Sequence, residues 1–536
     1  MRYRLAQIKT EISEPVENIP QIIAKDLRIR ESDIKEWELR RKSIDSRKKP
    51  HVQFVYTVDF VTDKKLKMGR NRNLSVVDEE AEAAAVLPPE HGAEVLEHRP
   101  VVIGMGPAGL FAALELASEG YRPVVIERGP AMDGRIEAVE RFRKEHVLDP
   151  EANMLFGEGG AGTFSDGKLA TGIKDGLIRK VLAEFRDAGA GEDIMYLAKP
   201  HIGTDVLREV IVEIRRKIER LGGEIRFCTK LEKMAVENGA VKELVLTGPE
   251  AESGEVRTYN MSVSAMVLAI GHSARDTFSM LLEEGADMEQ KPFSIGVRME
   301  HPQSLIDASQ YGAENVGKLP PADYRINYKA SNGRGVYSFC MCPGGEVVVC
   351  STAEGELCVN GMSNRKRNSG TANSGILCDI RTEDFGSDDV LAGVRFQEKY
   401  ERLAFMNGGG NFEPPKCSMA EFLGHEDSEE GIRRGKAVTD SLPAFAAEAI
   451  REAVPDFGRK IKGYDDPDAV ITAVETRSSS PVRILRNGLG ESNIKGLYPA
   501  GEGAGYAGGI TSAACDGIRA ARHIIARFSA EMKNNG

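Results

Sequence analysis

The string VVIGMGPAG (101–109) decides the fold. Three apolar residues suited to a buried strand run into Gly104, and Gly104-x-Gly106-x-x-Gly109 follows at once. Helical spacing continues from Pro107 to about Glu119, where Gly120 stops it as a C-terminal glycine does. A second apolar strand, PVVIE (123–127), ends in Glu127 and is followed by Arg128. Gly104 permits the tight turn, Gly106 keeps side-chain atoms away from a pyrophosphate, and Gly109 lets helix and strand approach closely. The helix N-terminus at Pro107 and Ala108 offers free N–H groups and the positive end of a dipole to phosphates. Glu127 suits ribose hydroxyls and repels a 2′-phosphate. With a strand before, a helix after and an acid at the end of the next strand, the spacing predicts a dinucleotide site.

The far end of the chain carries a second glycine-dense turn, GLYPAGEGAGYAGGITSAACDGIRAA (496–521). A strand over 497–500 enters it, and a helix runs from about Ile510 to Phe528. Ile510, Ala514, Ile518, Ala521, Ile525 and Phe528 form the expected buried stripe of that helix. Gly501, Gly503, Gly508 and Gly509 leave bare backbone there, with Glu502 between the first two and Ile510 opening the helix. Such a helix dipole stabilises negative charge on a ligand. A third string, FGEGGAGTFSDGKL (156–169), also matches G-x-G-x-x-G, but it follows helix or loop rather than an apolar strand. It reads as a glycine-rich loop, not as a second dinucleotide site.

Together the two ends resemble flavoproteins with two dinucleotide-binding domains, of the glutathione-reductase type. The strings at 156–169, FSIGVRMEHP (293–302), FCMCPGG (339–345), VNGMS (359–363), ETRSSSPVRI (475–484) and GEGAGYAGG (501–509) are similar to a family labelled uncharacterised FAD-dependent dehydrogenases. The resemblance implies non-covalent FAD and oxidoreductase chemistry, with hydride transfer at the flavin and a small-molecule substrate of unspecified identity; no second strand–G-x-G-x-x-G–helix unit is found, which leaves NAD(P)H as a transient donor only. It implies the ADP half of FAD at the first fingerprint and the ribityl chain and flavin at the C-terminal turn, where Glu502 replaces the usual Asp. It also brings the loop with Gly160, Thr163, Ser165 and Lys168 near the flavin, together with Gly271 and His272 at the end of the strand 265–270.

Lys168 reads as a flavin N5 or anion partner, or as a solvated turn residue. His272 reads as a proton donor or as a structural hydrogen bonder. Arg477 and Arg298 are bidentate clamps for an anion, or ordinary salt-bridge partners. Cys340 and Cys342 read first as buried structural thiols, with pocket-lining or redox roles as alternatives. The catalytic expectation rests on Lys168, His272 and Arg477. No metal site is expected, because the eight cysteines are scattered.

The predicted architecture is α/β: a Rossmann-like FAD-binding domain (98–284 and 466–536) with an inserted mixed α/β substrate domain (285–465). A small N-terminal β-α-β-β domain (1–76) and a linker rich in Glu, Ala and Pro (77–97) precede it. In the small domain, Arg2–Ile8, Ile34–Leu39 and Val52–Val61 read as strands, and Val16–Leu27 as a helix. Its basic run, Arg40, Arg41, Lys42, Arg47, Lys48 and Lys49, reads first as a solvated face and leaves RNA modification as the alternative function. The net charge of −11 argues against a nucleic-acid partner. No apolar run is long enough to span a membrane, and a reducing cytoplasm fits the cysteine usage.

Overall fold

Val101–Ile103, the strand before the fingerprint, lies at the centre of a five-stranded parallel sheet in the computed structural model, which describes residues 1–69, 71–84, 86–249 and 254–532. The order across the sheet is Leu497–Pro499, Met266–Leu268, Val101–Ile103, Val124–Ile126 and Glu224–Arg226. Val102 pairs with Val125 on one side and Val267 on the other. The three central strands are buried at every residue, which is why they are uniformly apolar rather than alternating.

Helices Pro107–Ser118 and Ile510–Arg527 pack together on one face, with Thr204–Arg220 beside them. The last of these buries Leu207, Val210, Ile211, Ile214 and Ile218, the spacing of a single helical stripe. A three-stranded antiparallel sheet (Lys230–Glu237, Ala240–Pro249, Val256–Ser262) covers the other face. There Leu231, Met234 and Leu244 pack with Ile103, Ile126 and Leu268.

The middle of the chain forms a six-stranded antiparallel sheet, ordered Asn327–Lys329, Gly335–Cys342, Thr371–Ile380, Phe293–Pro302, Val470–Glu475 and Lys416–Ser418. Helices Ala392–Asn407 and Ala444–Lys460 pack against it. Val470–Glu475 lies within the stretch from 466 that the sequence assigns to the FAD-binding domain, yet it hydrogen-bonds to Phe293–Pro302. The chain re-enters the parallel sheet only at Leu497–Pro499. After its first residue this strand is buried throughout, so no alternation marks which sheet it joins. Residues 533–536 of the same segment lie outside the described residues.

The N-terminal unit is a four-stranded sheet, ordered Glu36–Lys48, His51–Val61, Arg2–Glu11 and Leu74–Val76, packed on the helix Ile19–Leu27. Its second strand runs to Lys48, so the basic run forms half of a hairpin instead of a loop. Arg40 meets Asp59 at 3.3 Å and Glu82 at 2.9 Å, and Arg47 meets Asp45 at 2.7 Å. Lys42 sits over the Phe54 ring, and Lys49 donates to the Ser309 carbonyl. Four of the run's six cations are thus engaged within the chain.

The linker is structured too. It holds the helix Glu79–Ala84 and a strand, Glu94–Leu96, that pairs in parallel with Phe528–Met532. The last helix therefore ends at Arg527, and Phe528 begins a strand.

The two helices flanking the parallel sheet cross at Gly517, where a Cβ would fall on the Ala108 carbonyl oxygen. At Gly488 nothing lies within 4 Å of the corresponding position. Gly517→Ala is expected to lower stability by about 1–3 kcal/mol through overpacking. Gly488→Ala should stay within about 0.5 kcal/mol. Urea denaturation of both variants beside the parent protein checks the contrast.

Candidate functional site

The C-terminal ends of four parallel strands open into one cleft, the position where open α/β sheets place their ligands. It encloses about 1440 Å³ including its mouth. The turn Gly104–Gly106, Glu127, the turn Ala269–His272 and the turn from Ala500 supply its walls. Two helix N-termini reach it: Pro107 and Ala108 at one end, Gly509 and Ile510 at the other, with Gly508 alongside. Neither helix has a side-chain cap; the N-cap residues are Gly106 and Gly509, both in extended backbone. Both positive dipole ends are therefore left to a ligand.

The fingerprint glycines divide into two kinds. A Cβ at Gly104 would fall on the Ala269 carbonyl, and one at Gly109 on the Gly104 carbonyl. Gly109 lies behind the cleft wall, and its role is close packing. A Cβ at Gly106 would meet nothing nearer than the Gly160 Cα at 3.9 Å, so the space before it is open. This open cradle at an uncapped helix end fits the pyrophosphate of a dinucleotide.

Glu127 is buried, and its carboxylate collects backbone donors: Met105 N–H at 2.8 Å, Gly129 N–H at 2.9 Å and Gly157 N–H at 3.0 Å. Of roughly four acceptor sites on a carboxylate, about one remains for a ribose hydroxyl. Arg128 spans the cleft's edge between Glu151 at 2.5 Å and Asp276 at 3.0 Å, and stacks on Phe156.

The second glycine-rich string is a loop, as its missing strand implies. Positive φ values at Gly157, Gly159 and Gly160 fold it back, and a Cβ at Gly160 would lie 2.8 Å from the Gly106 Cα. Beneath it, fully buried Arg135 donates to the carbonyls of Asn153 (3.0 Å), Met154 (2.9 Å) and Glu158 (2.6 Å). No motif around Arg135 announces that role. Ser165 faces the cleft. Thr163 does not: its hydroxyl donates to the Glu158 carbonyl at 3.2 Å, inside the loop. Lys168 also lies off the cleft wall, donating to the Met341 carbonyl, with Asp166 at 3.7 Å and the Cys342 sulfur at 3.9 Å.

Gly271 and His272 reach the cleft from the strand-end turn. His272 Nδ1 lies 3.4 Å from a Glu502 oxygen, while its buried Nε2 has no hydrogen-bond partner among the described residues. Gly501 and Gly503 are packing positions: a Cβ on Gly501 would crowd Ala108 at 2.7 Å, and one on Gly503 would fall on the Gly271 carbonyl.

The opposite wall comes from the six-stranded sheet and its neighbouring hairpin, through Phe339, Cys340, Asn360 and Glu475. Glu475 is paired with fully buried Arg298, Oε2 to Nε at 2.6 Å. Arg298 spends its other donors on the Cys340 carbonyl (2.9 Å), Asn373 (3.1 Å) and Asn360 (2.8 Å). Burial pushes the Glu475 carboxyl up to about 7, against the pull of Arg298. Arg477 also borders the cleft, but its guanidinium is bound to Glu401 at 2.8 and 3.0 Å and to Ser273 and Thr352 at 3.1 Å each. Against the cost of burial, Arg275 and Arg477 hold the Glu401 carboxyl well below the usual range. Sequence reasoning missed Glu475 and Asn360. The available signal was an acid ending a strand whose only other polar residue is Thr472, VITAVE (470–475).

Among the described residues, no group of three or more His, Cys, Asp or Glu is placed to hold a metal ion, and no helix is long and apolar enough to cross a membrane.

Comparison with known proteins agrees with the cleft's chemistry. Residues 99–139 match an FAD binding domain, 292–478 match the C-terminal domain-like region of FAD-dependent proteins, and 2–61 match a domain of unknown function. An uncharacterized protein of Clostridium beijerinckii is 44% identical over 98% of this chain and 99% of its own length. A thiamine thiazole synthase of Thermotoga maritima is 24% identical over 42% of this chain and 74% of its own. Among solved structures, a flavin-dependent brominase variant covers 81% of this chain and 82% of its own, at 14% identity and a TM-score of 0.37. An E. coli quinol fumarate reductase covers 81% and 70%, at 12% identity and a TM-score of 0.34. The chain belongs to the family of the clostridial protein, a family of FAD-dependent proteins, and FAD is its cofactor.

Proposed function

We propose that this protein is an FAD-dependent oxidoreductase that moves a hydride between the flavin and a small organic substrate held against the wall built by Phe339, Cys340, Asn360 and Glu475. The observation that carries the reading is the convergence of two uncapped, glycine-flanked helix N-termini on one cleft. In this reading the turn Gly104–Gly109 and the N-terminus at Pro107 hold the pyrophosphate. Glu127 takes a ribose hydroxyl with its remaining acceptor site, and Arg128 borders the adenosine end. The turn 501–503 and the N-terminus at Gly509 and Ile510 receive the flavin end, with Gly160, Ser165 and Gly271 along the length. When bound, FAD supplies a two-electron acceptor for a hydride, whether from the substrate or from NAD(P)H docking transiently.

The residues of the chain then divide the remaining work. The helix end at Ile510 stabilises negative charge on the ligand. His272, oriented through Nδ1 by Glu502, presents an unengaged Nε2 as a proton carrier. Glu475 holds a proton below about pH 7 and releases it above. Lys168 and Arg477, singled out by the sequence as catalytic, have roles through other groups: Lys168 through the 340–342 segment and Arg477 through Glu401.

Gly106→Ala separates binding from folding, because the added methyl meets only the Gly160 Cα, at ordinary contact distance. The variant is expected to keep the melting temperature of the FAD-free protein while FAD affinity falls at least about tenfold, some 1.4 kcal/mol. Fluorescence titration with FAD measures this, and unchanged affinity would remove the pyrophosphate from this turn. Purified parent protein should show flavin absorption bands and release FAD on heating. A colourless protein that FAD does not reconstitute refutes the whole reading.

For Glu475, the infrared carbonyl band of a protonated carboxyl should fade as pH rises through about 7. The same fading band should be missing from Glu475→Gln. A parent band already lost by pH 5 would show the carboxylate ionised throughout, and would exclude it as the proton carrier.

A further inference from the structure

We propose that Cys340 and Cys342 form a dithiol–disulfide couple in the wall of the cleft, with Cys340 the sulfur that faces the ligand. The inference rests on the FAD reading above and names what that wall does.

In a regular strand, residues i and i+2 share a face with Cα atoms about 6.6 Å apart. That is near the upper limit of the roughly 4.4–6.8 Å that a disulfide spans. The strand Gly335–Cys342 is not regular at this point. Its register with Thr371–Ile380 passes from Phe339 opposite Gly375 to Cys342 opposite Asn373, three residues against two. The extra residue is a β-bulge, which shortens and twists the strand locally. Within it Cys340 has φ +41°, a left-handed conformation that a non-glycine residue adopts only where its surroundings enforce it.

The enforcing contacts are visible. Arg298 donates to the Cys340 carbonyl at 2.9 Å, Lys168 donates to the Met341 carbonyl, and the Cys342 thiol lies 3.3 Å from the Cys340 carbonyl. Three successive residues, Cys340 to Cys342, are thus clamped by two cations whose other contacts lie in buried polar clusters. The clamp places Cys340 in the cleft wall and Cys342 buried behind it.

The environment divides the two thiols chemically. A hydrogen bond from Cys342, outweighing burial and helped by Lys168 and Arg298, holds the Cys340 thiol well below its ordinary value. The same hydrogen bond and burial hold Cys342 well above it. Cys340, which lines the cleft, is the sulfur open to attack, and Cys342, buried behind it, is the resolving thiol. Closing the Cys340–Cys342 bond removes two protons and two electrons from the pair, the amount that oxidised FAD accepts. Reopening it takes two electrons and two protons in the opposite direction, or from an external dithiol by exchange.

The test uses holoprotein, anaerobically equilibrated over a series of reduced-to-oxidised dithiothreitol ratios, acid-quenched, alkylated and cleaved at glutamate. Cleavage at Glu346, Glu354 and Glu356 separates the Cys340/Cys342 peptide from those holding Cys350 and Cys358. The peptide is expected to pass from doubly alkylated to unalkylated, about 2 Da lighter than the dithiol, in one two-electron transition. Bleaching of the flavin by dithiothreitol should slow at least tenfold in both Cys340→Ser and Cys342→Ser. If a variant fails to fold, the titration of the parent protein still decides. A peptide alkylated twice at every ratio, with FAD bound, overturns the couple and leaves the FAD reading standing. A disulfide that forms while both variants bleach at the parent rate overturns its link to the flavin. A protein that binds no FAD overturns the reading beneath it, and the inference with it.

Discussion

Glu127 ends the second strand of the parallel sheet with its carboxylate buried, and three N–H groups from three different turns converge on it. Met105 belongs to the fingerprint turn, Gly129 to the turn after the strand, and Gly157 to the second glycine-rich loop. Hydrogen bonds to a charged acceptor contribute about 1.5–3 kcal/mol each. A buried carboxylate left without such donors is costly. The charge and the three turns therefore require one another: the donors make the buried charge tolerable, and the charge fixes the donors' positions. The cleft exists because these turns are held apart by this geometry, with Gly160 pressed to within a methyl's width of Gly106. The spacing leads one to expect a ribose ligand at this place. That the acid is first a structural anchor was not legible, because backbone donors leave no trace in a sequence pattern.

The legible parts are those where local chemistry admits one solution. A turn that passes a strand directly into a helix end needs glycine at 104 and 109, and Gly106 leaves the space before it open, so three residues identify it. The last helix declares itself through its small-residue stripe, and Gly517 within it is required by the crossing with Ala108. Illegible were the pairings decided by long-range partners. The strand Val470–Glu475 joins the middle sheet although its neighbours in sequence return to the parallel one. The strand Phe528–Met532 finds its partner more than four hundred residues earlier, at Glu94–Leu96. The basic run of the first unit reads as a solvated patch until the acids it meets, Asp59 and Glu82, are brought to it by folding. At the site, Cys340 needed the bulge to turn it inward, and a bulge made of Phe-Cys-Met-Cys has no glycine to announce it.

The two arginines with anion-clamp chemistry illustrate how the sheets are joined at the cleft. Arg298 lies on Phe293–Pro302 and Arg477 just beyond the neighbouring strand Val470–Glu475; each is almost wholly buried and each is spent on a glutamate, Glu475 and Glu401. A buried ion pair adds little net stability over apolar packing, but removing one partner costs about 3–5 kcal/mol, because the other charge is stranded. Such pairs therefore act as position locks more than as glue. Arg477 and Glu401 tie the segment after Val470–Glu475 to the helix Ala392–Asn407, and through Arg275 to the strand-end turn that carries His272. Arg298 ties Glu475, Asn360 and the Cys340 carbonyl into one plane of the opposite wall.

The consequence for the chemistry is a cleft with two unlike walls. One is backbone: glycines and two helix ends, whose fixed dipoles favour an anionic ligand at low reorganisation cost. The other is side chains set by buried arginines that do not themselves face the ligand with free donors. The groups it turns to the cleft, a carboxyl pushed up to about 7 and a thiol on a bulge, differ in kind from the point charges that a sequence suggests. On the proposed reading, a ligand lying between these walls would meet its phosphates' partners at the strand ends of the parallel sheet. It would meet Glu475 and Cys340 on the sheet whose register is shifted by one extra residue beside them.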